Sequence, residues 1–205
     1  MPQAAWQGWR FPWTLWRPAS RASAPETLEL SGERVLLRPL RPADADALYL
    51  CAADPEVTKY LPWYPATGVD SVQSFLGDQI GRRRRGESLG MALLLRETGE
   101  LVGSVDLMSL RTAKKTGEAE IGYLLRRNCW GRGLMAEAAA LARDHAFREY
   151  DLRLLIGFAD AENQASRRVL EKLGLREEGS ETRTVKNEER LYVRYELTRA
   201  RWENG

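Results

Sequence analysis

The chain has 205 residues, of which 43% are hydrophobic and 29% are charged, and its formal net charge is +2. This length suits one domain with a sizeable core, or one domain plus an appendage. The charge is too small to imply a nucleic-acid partner. No apolar run approaches the roughly 18 residues of a membrane-spanning helix, so stable membrane insertion is not expected. Cys51 and Cys129 match no metal or redox spacing, which favours a reducing, cytoplasmic location, and a single His145 argues against a metal site.

The first 25 residues differ from the rest of the chain. They hold three arginines, no acid and four tryptophans, namely Trp6, Trp9, Trp13 and Trp16. Prolines interrupt this stretch, so an unbroken helix is not expected. We predict a poorly ordered basic extension over residues 1–30 and one domain over residues 31–205. Contact of the extension with a membrane surface or a partner is the alternative.

Residues 33–110 indicate one strand and two helices, followed by a β-hairpin. A strand is predicted from Glu33 to Leu40, followed by a helix that opens at Pro42 with acids in its first turn. A second helix is predicted over residues 70–85, and its four terminal arginines complement the helix dipole. A phosphate or acidic-substrate contact is the alternative for these arginines. Apolar runs at residues 89–97 and 101–110 flank Thr98-Gly99 and predict a β-hairpin.

The remaining pattern completes an α+β fold. Residues 112–117 are predicted to be a polar turn, and residues 176–186 and 190–198 a last strand pair. Leu191, Val193, Tyr195 and Leu197 alternate with polar or amphipathic residues, which predicts one buried face. The expected architecture is a mixed, mostly antiparallel sheet of about seven strands with about four helices and one βαβ crossover.

The βαβ crossover falls in residues 118–174, where the local signals for a ligand converge. A strand over Glu118–Leu125 turns through Gly131 and Gly133 into an alanine-rich helix that runs to about Tyr150. A second strand and a second helix follow, the latter between Asn163 and Gly174. A glycine turn that leads into a helix presents free N–H groups at the positive end of the helix dipole, which is suited to an anion.

A dinucleotide-binding fold is the alternative explanation of this turn, because Gly131-x-Gly133-x-x-Ala136 matches its fingerprint and Asp160 ends the next strand. Such a fold opens with this unit and continues through further βαβ repeats, whereas here a hairpin precedes it. The strand before the turn also carries Glu118 and Glu120, which do not suit a strand buried on both faces. The context therefore rejects NAD and keeps a phosphate-binding turn.

Residues 30–200 resemble the GNAT N-acetyltransferases, and most closely the ribosomal-protein alanine N-acetyltransferases. The resemblance is carried by Glu120-Ile-Gly-Tyr, Trp130-Gly-Arg-Gly-Leu-Met-Ala-Glu137, Asn163-x-x-Ser166 and Glu171-Lys-Leu-Gly174. It implies acetyl-CoA as cosubstrate, with the pyrophosphate on the turn and the pantetheine arm beside the preceding strand. The residues implied for cofactor binding are Leu124, Leu125, Gly131, Arg132, Gly133, Leu134, Met135, Asn163 and Ser166.

Three positions depart from the family pattern. Asn128 stands where Arg or Gln is usual, Leu170 stands where many members place a general-acid tyrosine, and Leu191 replaces an Asp that often precedes the last strand pattern. The subgroup uses a serine three residues after the asparagine, and Ser166 matches it. Acceptor recognition is the part of the resemblance that Leu191 puts in question.

The resemblance implies two catalytic residues, each with a simpler alternative. Glu120 is expected to be the general base, acting through water, and the alternative is a solvated strand face shared with Glu118. Ser166 is expected to contact the thiol, and the alternative is an exposed helix serine. Asn163 is expected from the resemblance to contact the pantetheine; the alternative is an N-cap role, which is compatible with that contact. His145 follows the apolar stripe of its helix, which favours a core-edge residue.

The expected function is acetyl transfer from acetyl-CoA to a primary amine by direct attack in a ternary complex, without a metal. The acceptor is a protein N-terminal amine or a small amine. A non-catalytic CoA-binding or regulatory module is the alternative from another class. The pattern leaves a homodimer open.

Overall fold

The computed structural model describes residues 27–205, apart from the side chains of Thr112 and Lys114. The tryptophan-rich stretch falls outside the described residues, so the division into an extension and a domain stays a prediction. No helix in the described part of the chain is long and apolar enough to cross a membrane.

One mixed sheet of eight strands organises the fold. Its spatial order is β1-β2-β3-β4-β5-β6-β8-β7, and only β5 and β6 pair in parallel. The α+β, mostly antiparallel prediction is therefore confirmed, with one strand more than expected because a two-residue strand lies at the edge. The strands are β1 (Leu30–Ser31), β2 (Val35–Pro39), β3 (Leu89–Leu95), β4 (Leu101–Met108), β5 (Glu118–Leu125), β6 (Leu154–Asp160), β7 (Arg176–Val185) and β8 (Glu188–Thr198).

Within residues 27–205, four longer helices match the sequence prediction and three shorter ones were not predicted. The α-helices are α1 (Ala45–Ala52), α2 (Pro55–Thr58), α3 (Val69–Arg84), α4 (Leu110–Thr116), α5 (Leu134–Glu149), α6 (Gln164–Lys172) and α7 (Arg199–Glu203). Single 3₁₀ turns cover Pro42–Asp44 and Arg127–Cys129. The unforeseen helices α2, α4 and α7 are at most seven residues long, too short for a period to be read from sequence.

The predicted polar turn over residues 112–117 is wrong, because α4 occupies most of it. Leu110 and Ala113 bury their side chains and anchor this helix to the core. Gly117 then ends it in a left-handed conformation, with φ of 72°. Two anchors in a mostly polar segment were too weak a pattern to indicate a helix.

Helices cover the two faces of the sheet unequally. α5 and α6 pack on one face, where Ala138, Ala139, Ala142 and Ala146 of α5 are fully buried, so the helix approaches the strands closely. α1 and α3 pack on the other face, over a smaller cluster that includes Leu48, Leu76 and Ala92. That second face is left partly open over the centre of the sheet, which matters for the site.

The predicted alternation of β8 holds from Val193 to Leu197 but fails at Leu191. Leu191 is 49% exposed, whereas its neighbour Tyr192 is buried. The Tyr192 hydroxyl donates to the carbonyl oxygen of Tyr60 at 3.1 Å. The burial of Tyr192 involves this contact with a distant loop, so the period of 2 along the strand did not predict it.

Candidate active site

The parallel strands β5 and β6 separate in the middle of the sheet. Their pairing runs from Glu118 opposite Leu154 to Ile121 opposite Gly157 and stops there. β5 continues to Leu125 paired with β4, and β6 continues to Asp160 paired with β8. The result is an opening between two strands inside one sheet, which we call the wedge.

Backbone groups on the β5 edge of the wedge point alternately toward and away from it. The N–H of Arg126 donates to the carbonyl of Val102 on β4, at 2.8 Å. Since hydrogen-bonding directions alternate along a strand, the backbone groups of Leu124 face β4 and those of Leu125 face the wedge. The carbonyl of Leu125 accepts a hydrogen bond from the Trp130 indole at 2.8 Å, which leaves its N–H as the group directed to the opening.

The glycine turn closes the wedge at the start of α5. Gly131 and Gly133 have φ angles of 74° and 77°, the left-handed region that favours glycine. Gly133 is the N-cap of α5 and offers no side chain, so the first helical N–H groups, beginning at Leu134, lack a side-chain cap. A Cβ at Gly131 would meet no atom within 4 Å, and the nearest atom to one at Gly133 is Arg34 Nη2 at 3.5 Å. The glycines are thus required by conformation rather than by crowding.

Arg34, the residue before β2, holds this turn in place, and sequence reasoning did not predict it as a site residue. Its Nη1 donates to the carbonyl of Arg132 at 2.8 Å, and its Nε pairs with Glu137 at 2.9 Å. The backbone N–H of Arg34 also donates to Glu137 at 2.7 Å. Burial works to raise the pKa of Glu137, but these hydrogen bonds lower it below its ordinary value. The carboxylate stays ionised and fixes the arginine beside the turn.

Asn163 and Ser166 meet at the start of α6, beside the far edge of the wedge. The Asn163 side chain accepts a hydrogen bond from the backbone N–H of Ser166 at 3.0 Å, so it is the N-cap of α6. The Ser166 hydroxyl lies 3.1 Å from the hydroxyl of Tyr123, which reaches across from β5. Tyr123 was not predicted as a site residue, although it ends the Glu120-Ile-Gly-Tyr pattern that carried the resemblance.

Glu120 lies on the open face of the sheet, opposite Met108 of β4 and Ile156 of β6. It is partly buried, whereas Glu118 on the same strand face is exposed. Burial raises the pKa of Glu120 to about 7, with Arg183 opposing and Glu181 adding to that shift. A carboxyl that titrates near neutral pH is suited to accept a proton from an amine.

Partly exposed residues surround Glu120 on this face of the sheet. We call this surface the trough; it consists of Asp106, Met108, Glu120, Gly122, Ile156 and Phe158. The guanidinium of Arg183 covers the ring of Phe158, 3.8 Å from its centroid. The end of α2 meets the turn between β7 and β8, where Lys186 Nζ donates to the carbonyl of Thr58 at 2.7 Å. The trough and the wedge meet at β5.

The departures from the family pattern have local explanations. Asn128 accepts a hydrogen bond from Arg126 Nε at 3.0 Å and so braces the turn. Leu170 is buried and fills the space above Gly157, where an added Cβ would lie 2.5 Å from it.

His145 lies away from the turn. Burial lowers its pKa, and it packs edge-on against Tyr150 at the other end of α5.

Comparison with known proteins identifies relatives of the same fold. Residues 34–176 match the acetyltransferase (GNAT) domain model. The chain is 32% identical over 147 residues to an uncharacterized N-acetyltransferase p20 of Bacillus licheniformis, covering 72% of this chain and 82% of that protein. It is 28% identical over 183 residues to the putative ribosomal N-acetyltransferase YdaF of Bacillus subtilis, covering 83% of this chain and 94% of that protein.

A solved structure gives the same result in three dimensions. Mycobacterium smegmatis RimJ in complex with CoA-disulfide superposes with a TM-score of 0.71 and 30% identity, covering 81% of this chain and 82% of RimJ. The family match over most of the chain agrees with the strand order and with the glycine turn before α5. The chain belongs to the GNAT acetyltransferase family.

Proposed function

We propose that the protein is an acetyl-CoA-dependent N-acetyltransferase that acts on a primary amine by direct attack in a ternary complex. The observation that carries this proposal is the wedge, with the glycine turn at one end and Glu120 beside it on the open sheet face. An extended ligand can lie along unpaired strand edges, and its anionic end can meet the helix N-terminus.

The residues at the wedge suit a nucleotide thioester. Acetyl-CoA, when bound, supplies an acetyl group activated as a thioester. The amides of Gly131, Arg132, Gly133, Leu134 and Met135 would hold its pyrophosphate. Leu124 and Leu125 would lie beside the pantetheine arm, with the N–H of Leu125 as the hydrogen-bonding group. The side-chain oxygen of Asn163 already caps α6, so its side-chain NH₂ would be the group that contacts the pantetheine.

Two side chains would transfer the protons of the reaction. Glu120 takes a proton from the acceptor ammonium, directly or through water, and its pKa of about 7 leaves it ionised at mildly alkaline pH. Ser166 donates its hydroxyl hydrogen to the sulfur as that atom gains negative charge. The Tyr123 hydroxyl donates to the backbone carbonyl of Ser166 at 3.1 Å and lies 3.1 Å from the Ser166 hydroxyl, so it helps to position the serine.

The names of two relatives support an acceptor class. YdaF is described as a putative ribosomal N-acetyltransferase, and one similar solved structure is RimJ. These names favour a protein N-terminal α-amine of the ribosomal type, with a small amine as the other candidate.

Release of free thiol from acetyl-CoA tests the proposal. The full chain is assayed with N-terminal peptides, polyamines and aminoglycosides, and CoA binding is measured in parallel by calorimetry. We expect CoA binding and amine-dependent thiol release that Glu120→Gln suppresses while CoA binding is retained. CoA binding without thiol release for any amine would favour a non-catalytic CoA-binding module instead.

A further inference from the structure

Arg183 of β7 reaches over the sheet face that carries Glu120. Its guanidinium carbon lies 3.8 Å from the centroid of the Phe158 ring and 5.1 Å from that of Tyr192. Phe158 belongs to β6, and β8 lies between β6 and β7, so the arginine side chain crosses one whole strand to reach the ring. A guanidinium over two aromatic rings is attracted to both, which holds it in place.

Strand pairing brings this guanidinium close to Glu120. Glu120 lies directly opposite Ile156, and Phe158 is the next residue of β6 whose side chain is on that face. Diagonal neighbours of this kind are roughly 7 Å apart. Gly122, the next residue of β5 on the same face, has no side chain to separate them. The Arg183 guanidinium is therefore within electrostatic reach of the Glu120 carboxylate.

Most other cations near this face are held by other carboxylates. The remaining charged residues that lie along the trough or are buried against it are Arg38, Arg83, Asp106, Glu118, Asp160, Arg176, Arg190, Arg194 and Glu196. Arg38, Arg190 and Arg194 each pair with a different carboxylate, at 2.7 to 2.8 Å. Arg176 begins β7 at the edge of the sheet, and Arg83 belongs to α3, which packs on β3. Among the described residues, Arg183 is the cation that acts on the charge of Glu120.

Two residues of β7 act on Glu120 in opposite directions. Burial raises the pKa of Glu120, Arg183 works against that rise, and Glu181 adds to it by less than Arg183 removes. Glu181 accepts a hydrogen bond from Arg183 Nε at 2.5 Å, and its side chain is 50% exposed, whereas that of Arg183 is 20% exposed. Water screens the more exposed carboxylate, so the cation has the larger effect.

We propose that Arg183 is a positioning residue of the transferase reaction that acts through Glu120, by keeping this carboxylate ionised in its half-buried site. The inference rests on the proposed function and adds the electrostatic support of its base. Glu181 has the opposite influence, so the two charges on β7 together set the pH range in which Glu120 can accept a proton.

The pH dependence of thiol release tests this role with Arg183→Met, which keeps an apolar side chain on Phe158 and removes the charge. One acceptor is used for all chains, so its own ionisation is common to all. We expect the acidic limb of kcat/KM to move to higher pH by roughly 0.5 to 1.5 units, as for a unit charge about 7 Å away. On that limb kcat/KM should fall roughly threefold to thirtyfold, while the value at high pH stays within about twofold of wild type.

Three further variants make the test specific. Glu181→Gln should move the acidic limb to lower pH, because it removes a like charge, and Arg183→Lys should restore the wild-type limb. Arg201→Met is the control, since Arg201 pairs with Glu178 outside the trough. A merely structural role would lower the activity at every pH. An unmoved limb in active, folded Arg183→Met, or shifts of the same sign in Arg183→Met and Glu181→Gln, would overturn the proposal.

A second measurement decides the question even if no amine is acetylated and the transferase proposal fails. Glutamate carboxyls are labelled with ¹³C and titrated by NMR, and Glu120 is assigned by the signal that Glu120→Gln lacks. A pKa of Glu120 that is higher in Arg183→Met than in wild type and Arg201→Met supports Arg183 as the charge partner. Equal pKa values in the three chains contradict it. Arg183→Gln replaces Arg183→Met in both assays if the methionine variant does not fold.

Discussion

The hydroxyl oxygens of Tyr123 and Ser166 lie 3.1 Å apart, although one residue is on β5 and the other begins α6. Burial raises the pKa of Tyr123 above its ordinary value, a shift that the hydrogen bond to Ser166 only partly offsets. The phenol therefore stays protonated and acts as a donor at physiological pH. Its single hydrogen goes to the backbone carbonyl of Ser166 at 3.1 Å, so the Ser166 hydroxyl donates to the phenol oxygen in the free protein. Turning toward a bound sulfur would exchange that hydrogen bond for a new one.

Ser166→Ala is expected to lower kcat by roughly ten- to a hundredfold, because a proton donor to the leaving sulfur is removed. Tyr123→Phe should lower kcat less, since only the orienting hydrogen bond is lost. Both variants should keep the wild-type Kd for CoA within about twofold. Steady-state thiol release and calorimetry provide these values. Full kcat in Ser166→Ala would remove the serine from the mechanism, and a larger effect of Tyr123→Phe would transfer the donor role to the tyrosine.

Gly133→Val should abolish CoA binding while the domain stays folded. The residue has φ of 77°, and a β-branched side chain there would shift the backbone whose amides face the pyrophosphate. Gly99→Val is the matched control, because Gly99 has φ of 70° and open space around its Cβ position, in the β3–β4 hairpin.

Both glycine variants should lose similar stability, of roughly 1–2 kcal/mol or more for a left-handed non-glycine residue. Only Gly133→Val should lose affinity for CoA, as measured by calorimetry. If the two variants bound CoA equally well, the turn would not be the pyrophosphate site.

Glu120→Gln should lower turnover by on the order of a hundredfold and remove an acidic limb from the pH profile. Because the Glu120 carboxyl must be ionised to accept a proton, and its pKa is about 7, wild-type kcat/KM should fall below that pH. The deficit of the variant should shrink at high pH, where more amine is already neutral.

Glu118→Gln is the control for the base, since Glu118 is exposed two residues earlier on the same strand face. It should retain the wild-type profile. A deficit of Glu120→Gln that is constant across pH would indicate a role in positioning the acceptor rather than in proton transfer.

Asp106→Asn should be more stable than the wild type at pH 8. The carboxyl has a pKa of about 7 in the folded chain and about 3.9 in an unfolded one. Between these values the folded state binds more protons, so the wild-type free energy of unfolding falls as pH rises. Melting curves should give nearly equal Tm values near pH 4 and a Tm advantage for the variant that grows until about pH 7. A wild-type Tm above that of the variant at pH 8 would mean that the carboxylate stabilises the fold.

Local sequence signals were sufficient for the main elements of the site. The glycine turn, the strand before it and the asparagine cap of α6 each depend on residues within a few positions of one another. The wedge itself was not predictable from residues alone, because it depends on where β5 and β6 cease to pair. The contact of Tyr123 with Ser166 joins residues 43 positions apart, and that of Tyr192 with Tyr60 joins residues 132 apart. A periodic pattern in the sequence contains no information about contacts between residues so far apart in the chain.

Arg34 sets a limit on how the protein can be divided. The guanidinium that braces Arg132 belongs to a residue 98 positions earlier in the chain. The region that carries most of the family pattern, residues 118–174, therefore lacks one support of its own turn. During synthesis, Arg34 emerges long before the turn that it steadies. We expect a fragment that starts after Arg34 to have a loosened turn, and transplanting residues 118–174 into another scaffold would leave this support behind.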